Sequence, residues 1–295
     1  MDLDRAMEYL EFVHERHNVW ERRRAGDPQP WTSDPVLAGN KFTNVFRVLD
    51  YGSQFLLKEL LDPSLPSRDI LARCFLYRYT NLPATWTWWR EQLGRYPVAD
   101  DLGEPLCDLF AQRLASGALG YSAAYIIHPM NTVGVGPKFN LIVKVARSMF
   151  GEGEDFTEEF LKAQTQAQRY TLLKSPRGVG EFMAMQILTD WGYSAQCGVD
   201  REDEFVVAGP GAIRGANALG AGSSPLERIH WAYRVLRGEP DVPTLPGGRK
   251  PSLMDVQNTF CEFSKYVRYK AKPQRTQPYT PVHPGPETIV LPEHW

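Results

Sequence analysis

Leu172-Leu173-Lys174-Ser175-Pro176-Arg177-Gly178-Val179-Gly180-Glu181-Phe182-Met183-Ala184-Met185-Gln186-Ile187-Leu188 is the stretch on which the fold assignment turns. A first helix ends near Lys174. A tight turn follows, and its glycines supply backbone angles that a Cβ opposes. A second helix starts near Gly180 and sets Ala184, Ile187 and Leu188 toward its partner. The whole unit, residues 172–190, has the shape of a helix-hairpin-helix. Such a hairpin presents backbone N–H groups at a helix N-terminus, where a DNA phosphate binds. Lys174, Arg177, Gly178 and Gly180 are its candidate DNA-binding residues. The plain alternative is an αα-hairpin with a Gly-x-Gly turn. Arg177 sits between the proline and the first glycine, which departs from the Pro-Gly-Val-Gly form.

Outward from the hairpin, apolar residues recur mostly at helical spacing. Leu3, Met7, Leu10 and Val13 predict a helix over 3–25, with Glu and Arg on its other face. Gly26-Asp27-Pro28-Gln29-Pro30 breaks it. Further helices are expected over 42–61, from Ser67 through Tyr79, and over 85–93, 102–115, 140–150, 156–170, 225–237 and 253–269. Strand signals are confined to Ala123–Ile127 and Phe205–Val207. The tail, 271–295, is rich in proline and charge and reads as a surface wrap or a mobile end. The expected organisation is one helical domain over 1–270 followed by an extended tail.

The chain has 295 residues, 33 Lys and Arg against 35 Asp and Glu, and a net charge of -2. That excludes a uniformly basic nucleic-acid coat and leaves room for a local basic groove. No run approaches the roughly 18–20 apolar residues of a membrane span, so a soluble protein without a membrane partner is expected. Met1-Asp2-Leu3-Asp4-Arg5 lacks the form of a secretory leader. Cys74, Cys107, Cys197 and Cys261 are scattered and read as reduced thiols. His14 and His17 could share a metal on one helix face, but without a second pair they read as a solvated face. No metal or cofactor is expected. Glycine-rich Gly134-Val135-Gly136-Pro137-Lys138 is too short for a dinucleotide fingerprint. The Trp86-Thr87-Trp88-Trp89-Arg90 cluster reads as core.

The hairpin, in a mainly α chain, resembles that of the helical DNA glycosylases, which are two-lobed all-α proteins. The resemblance implies a two-lobed helical body of glycosylase-like fold. In those enzymes a catalytic Asp follows the hairpin at the head of the next helix. Here Ala208-Gly209-Pro210-Gly211 stands in its place, with Asp203 and Glu204 as the nearest acids.

Four further segments are more specific: Pro30-Trp31-Thr32-Ser33-Asp34-Pro35-Val36-Leu37, Lys41-Phe42-Thr43-Asn44-Val45-Phe46-Arg47-Val48-Leu49-Asp50, Glu204–Gly215, and Phe260-Cys261-Glu262-Phe263-Ser264-Lys265-Tyr266-Val267-Arg268. With the hairpin, they resemble the thymine hypermodification proteins of DNA bacteriophages over about residues 15–270. That family comprises the α-glutamyl/putrescinyl thymine pyrophosphorylases, or amino acid:DNA transferases. A related helical domain is fused to 5-hydroxymethyluracil DNA kinases. The resemblance implies an enzyme of the infected cell's cytoplasm, acting on double-stranded DNA whose 5-hydroxymethyluracil has been phosphorylated by a DNA kinase. An amine, either an amino acid or a polyamine, displaces the (pyro)phosphate. No GxxxxGK[ST] loop occurs in the sequence, so the kinase step is not expected of this chain.

That chemistry needs cations and N–H donors for an anionic leaving group. Arg47, Asn44, Arg78 and Arg214 are the candidates, with Gly209 and Gly211 as an anion-cradling turn. It also needs a base for the incoming ammonium, and a carboxylate of raised pKa suits it. Asp50, Asp190 and Glu262 are the candidate bases, with Lys265 beside Glu262 as a further catalytic candidate. Plain readings stand beside these: Asp190 as a helix-end cap, and Glu262/Lys265 and Asp50/Arg47 as helix-surface pairs at i,i+3. Reaching a base within duplex DNA would require flipping it out. A glycosylase acting on a modified base and a non-catalytic module that reads modified DNA are the competing functions.

Overall fold

The computed structural model describes residues 1–122, 130, 132–151, 155–273, 277–281 and 288–295. Among these there is no strand, and the chain is mainly α-helical. In chain order the helices are α1 (Leu3–Ala25), α2 (Pro35–Gly39), α3 (Tyr51–Phe55), α4 (Ser67–Thr80), α5 (Pro83–Leu93), α6 (Glu104–Ala115), α7 (Lys138–Phe150), α8 (Asp155–Lys162), α9 (Gln166–Lys174), α10 (Glu181–Gly192), α11 (Pro210–Asn217), α12 (Pro225–Gly238) and α13 (Leu253–Lys270). Short 3₁₀ turns and a π-helical stretch at Leu56–Leu60 lie between them. No helix among the described residues is long and apolar enough to cross a membrane.

The chain divides into two compact units. One comprises residues 1–51 and 202–289 and contains α1, α2 and α11 to α13. Asp2 caps α1 by accepting from the Asp4 and Arg5 amides, and Gly26 closes it in the left-handed region at φ 83°. A box between Ser252 and Asp255 caps α13. These two long helices meet through aromatic rings. Tyr9 stacks on Phe260 at 4.2 Å, its hydroxyl bonds Thr259, and Phe12 packs on Phe263 and Tyr266. Helix α11 lies closest of all on α13. A Cβ built on Gly215 would sit 1.9 Å from the Phe260 carbonyl oxygen, and one on Gly211 would sit 2.2 Å from Cys261 Sγ. Gly211-x-x-x-Gly215 is therefore a packing seam, with its two glycines one helical turn apart.

The other unit comprises residues 52–201 and 290–295. Its centre is α4, buried on every side from Ile70 to Thr80 and packed against α7 and α10. A helix surrounded in this way has no solvent-facing side, so its arginines find partners inside: Arg73 on the Leu60, Tyr96 and Pro97 carbonyls, and Arg78 on a carboxylate of α10. Trp86 and Trp89 of α5 are fully buried, in agreement with the core reading of the tryptophan cluster. The described part of the tail is tied down in both units. The Tyr279 amide donates to the Ala38 carbonyl in the first, and Val290 exchanges two bonds with the Gln54 side chain in the second.

Three expectations change. The helix expected over 42–61 is broken: Arg47–Leu49 is a 3₁₀ turn, α3 covers Tyr51–Phe55, and residues 42–46 are irregular. The Phe42 and Thr43 carbonyls accept from the Arg16 side chain instead of from helical amides. The helix expected over 156–170 is two helices, because Thr165 forms a capping box with Gln168 and restarts the chain as α9. Phe205–Val207 is not a strand. The other strand signal, Ala123–Ile127, lies outside the described residues.

The seam makes a prediction. Gly215→Ala should cost about 1–3 kcal/mol, because the added methyl meets backbone. Gly211→Ala should cost less, because the Cys261 side chain can rotate away. Urea unfolding of both variants checks the order, and equal, negligible losses would discount the seam.

Candidate active site

The N-terminal unit gathers a polar centre around a loop. Asn44 is its pivot. Its backbone amide donates to Asp50 Oδ1 at 2.9 Å, and its side-chain Nδ2 donates to the same oxygen at 3.1 Å and to the Leu49 carbonyl at 3.0 Å. Its Oδ1 accepts from Arg16 Nη2 at 2.7 Å. Arg16 also donates through Nε to the Thr43 carbonyl at 2.8 Å. Glu262 of α13 reaches the same loop, accepting from the Thr43 amide at 2.9 Å, with Lys265 Nζ 3.3 Å away. Lys265 bonds the Lys41 carbonyl as well and lies 4.7 Å from the centre of the Phe42 ring. The expected i,i+3 pair of Glu262 and Lys265 thus forms, but each partner also binds the 41–44 loop.

Asp50 is the chemically distinctive group. Burial pushes its carboxyl up to about 6, against the opposing pull of the Asn44 amide and Arg16, and the Glu262 charge pushes the same way. Arg16 is driven in the opposite sense, to about 10, by burial that the charges of Asp50 and Glu262 only partly offset. A carboxylate near 6 is poised to take a proton at neutral pH.

Beside this centre opens a cleft of about 70 Å³. Its lining includes Arg16, Trp20 and Arg23 from α1, Asn44 and Phe42 from the loop, Trp31, Leu37, and Tyr279 of the tail. Arg16, Trp20 and Arg23 fall at i, i+4 and i+7 on one face of α1, whereas the sequence places its arginines on the face opposite the apolar one. The signal was the tryptophan among them. The histidines on this helix are a second correction. His17 is buried between Trp20 and Phe46, and its ring is pushed down to about 4, mainly by burial. His14 bonds Glu239. They do not form a shared solvated face. Among the described residues no group of three acids, histidines or cysteines could hold a metal.

The other candidates are placed elsewhere. Asp190 is fully buried in the second unit, and Arg78 grips both its oxygens, Nη2 to Oδ1 at 2.6 Å and Nε to Oδ2. The expected base and the expected phosphate ligand thus face each other. The Arg47 side chain is buried, while its amide donates to Asp255 at 2.8 Å and fixes the 3₁₀ turn to the head of α13. Gly209 caps α11, Gly211 is spent on helix packing, and Arg214 is exposed. Asp203 is exposed and accepts from the Leu253 amide at 2.8 Å. In the hairpin, Gly178 has φ 99°, and a Cβ there would meet Val133 at 2.6 Å and Met130 at 2.9 Å, so both backbone and space demand glycine. Tyr79 donates to the Gly178 carbonyl at 3.0 Å, Lys174 pairs with Glu181, and Arg177 and Gly180 are exposed.

Fold and site together define an all-α protein in which a buried carboxylate, Asp50, is joined through Asn44 to an arginine that lines a cleft. More narrowly, the chain belongs to the family of the 5-hmdU DNA kinase helical domain, whose profile matches residues 4–276. It is also 24% identical over 287 residues to the 5-hmdU DNA kinase of Bacillus phage SP10, covering 87% of this chain. The chain spans 44% of that relative's length. No solved structure matches it.

Asp190 and Asp50 predict opposite responses. Asp190→Asn leaves Arg78 as a buried, poorly matched cation and should cost about 3–5 kcal/mol. Asp50→Asn keeps the acceptor for Asn44 and removes a charge that burial disfavours. Because the folded value is raised above the unfolded one, ionised Asp50 opposes folding above pH 6, and this cost fades as pH falls toward 4. Asp50→Asn should therefore melt at or above wild type at pH 8 and lose that advantage at pH 4.5. Thermal melts at the two pH values check both variants.

Proposed function

We propose that this protein modifies thymine-derived bases in DNA, by displacing (pyro)phosphate from phosphorylated 5-hydroxymethyluracil with an amine. The observation that carries the reading is Asp50. It is a carboxylate near 6, held through one oxygen by Asn44, and Asn44 and Arg16 line the neighbouring cleft. Kinship to a protein printed as a 5-hmdU DNA kinase supports the substrate, and the matched family is that kinase's helical domain.

The step balances as a substitution. The amine nitrogen forms a bond to the exocyclic CH₂ carbon. The carbon–oxygen bond to the phosphate breaks, and its electron pair leaves with the (pyro)phosphate. The nitrogen's surplus proton passes to Asp50, which the Arg16 charge and the Asn44 donors keep ionised until then. Lys265 and Arg16 supply positive charge toward the anion as it departs. Glu262 acts as the positioning residue of the 41–44 loop through the Thr43 amide. The hairpin's exposed Arg177 and the open backbone at Gly180 suit a DNA phosphate, and DNA and a DNA kinase are the proposed partners. A chain acting on such DNA works in the cytoplasm of an infected cell.

The test is mass spectrometry of nucleosides digested from hydroxymethyluracil DNA after treatment with a DNA kinase, this protein and mixed amines. A nucleoside at an amine-adduct mass is the expected result. Free modified base would replace the proposal with glycosylase chemistry, and unchanged DNA would leave a binding module. Turnover should rise with pH through about 6 as Asp50 ionises, and Asp50→Asn should abolish that limb along with at least a hundredfold of rate. Arg177→Ala should lower the slope of log affinity against log salt by about one contact, and an unchanged slope would remove the hairpin from the DNA interface.

A further inference from the structure

Part of the cleft wall comes from beyond α13. Pro278, Tyr279 and Pro281 of the tail line the cleft together with Arg16 and Trp20 of α1. Tyr279 carries the hold on this segment. Its amide donates to the Ala38 carbonyl at 2.7 Å, and its carbonyl accepts from Gln29 Nε2 at 3.1 Å. Pro278 and Pro281 have no N–H to add, and Gln277 and Thr280 are exposed. The Tyr279 side chain is half-buried and within electrostatic reach of Arg23, another residue of the wall. A segment fastened at one residue, between two prolines, can leave its seat without disturbing any helix.

The same cleft holds two buried donors without an acceptor, Arg16 Nη1 and the indole Nε1 of Trp20, a residue only 7% exposed. The tail leaves them so, because the Tyr279 carbonyl turns to Gln29 instead. Donors buried without acceptors are costly compared with donors in water, so the closed arrangement carries a penalty that opening relieves. Arg16 and Asn44 connect the cleft to Asp50: Asn44 accepts from Arg16 and donates to Asp50. Resting on the reading of Asp50 and its neighbours as the reacting centre, we propose that residues 277–281 are a releasable strap. Closed, the strap shields Arg16 and Trp20 from solvent. Lifted at Tyr279, it opens the cleft to solutes and so gates that centre from this side.

Hydrogen exchange of the tryptophan indole N–H groups tests this, on the full chain labelled with ¹⁵N-tryptophan, with Trp20→Phe assigning the Trp20 signal. Trp89 and Trp191 serve as controls, since their indole N–H groups are also buried and unpartnered but belong to the other unit. In the wild type Trp20 should exchange about tenfold or more faster than both controls, because lifting the strap is easier than unfolding. Gln29→Ala and Tyr279→Ala, which weaken the hold from either side, should each speed Trp20 about fivefold or more and leave the controls unchanged. A Trp20 rate equal to that of the controls, or one that neither variant moves, would make residues 277–281 a fixed part of the fold and overturn the proposal. Equal acceleration of all three indoles would also overturn it, by showing a general loss of stability. Exchange reads the strap whether or not the chain transfers an amine. Selective acceleration with no nucleoside adduct would keep the strap and sink the transfer, and an adduct with unchanged Trp20 exchange would do the reverse.

Discussion

The guanidinium of Arg16 holds the site together. One planar, permanently charged group takes the Thr43 carbonyl and the Asn44 side chain at once, and so fixes a loop with no helical bonds of its own. Asn44, held in this way, aims two donors at a single oxygen of Asp50. Without the guanidinium the carbonyls of 42–43 would need other donors, and a helix over this stretch would supply them. The same guanidinium thus serves the carbonyls of an irregular loop and, through Asn44, holds a carboxylate in place.

Asp190 and Asp50 both lie in dry surroundings, as does Asp255 at the head of α13, and the first two are treated differently. Asp190 meets Arg78 in a two-pronged pair that satisfies both oxygens, which suits a scaffold position between α4 and α10. Asp50 receives its hydrogen bonds on one oxygen and has Arg16 only as a neighbouring charge, so burial prevails and its carboxyl rises to about 6. The guanidinium pair suits Asp190 to a scaffold role, whereas burial with hydrogen bonds on one oxygen suits Asp50 to the part of candidate base.

Glycine is used in two physically different ways. Gly178 is required by its backbone angle and by Met130 and Val133 beside it, as expected of a tight hairpin turn. Gly211 and Gly215 have ordinary helical backbones and are required by the nearness of α13. The first kind of constraint is local and shows in a Gly-x-Gly turn between two helical patterns. The second depends on another helix some fifty residues later, and Gly209-Pro210-Gly211 could equally be read as an anion cradle.

Helical class, most helix positions and the glycine turn between α9 and α10 were legible in the sequence, because 3.6-residue periodicity and capping residues act within a turn or two of chain. The α1 span, Leu3–Ala25, follows from Asp2, Gly26 and the apolar spacing alone. Asp50, Glu262, Lys265 and Asn44 were also legible as candidates, since they lie in segments that resemble a known family. The tertiary structure decided which candidates share a centre. It brought Arg16 from the helix's polar face to the 41–44 loop, paired Asp190 with Arg78 across 112 residues of chain, and gave Gly211 to packing. Periodicity records which face of a helix is apolar. It does not record which distant side chain completes a hydrogen bond or neutralises a charge, and those long-range pairings set the chemistry of each carboxylate.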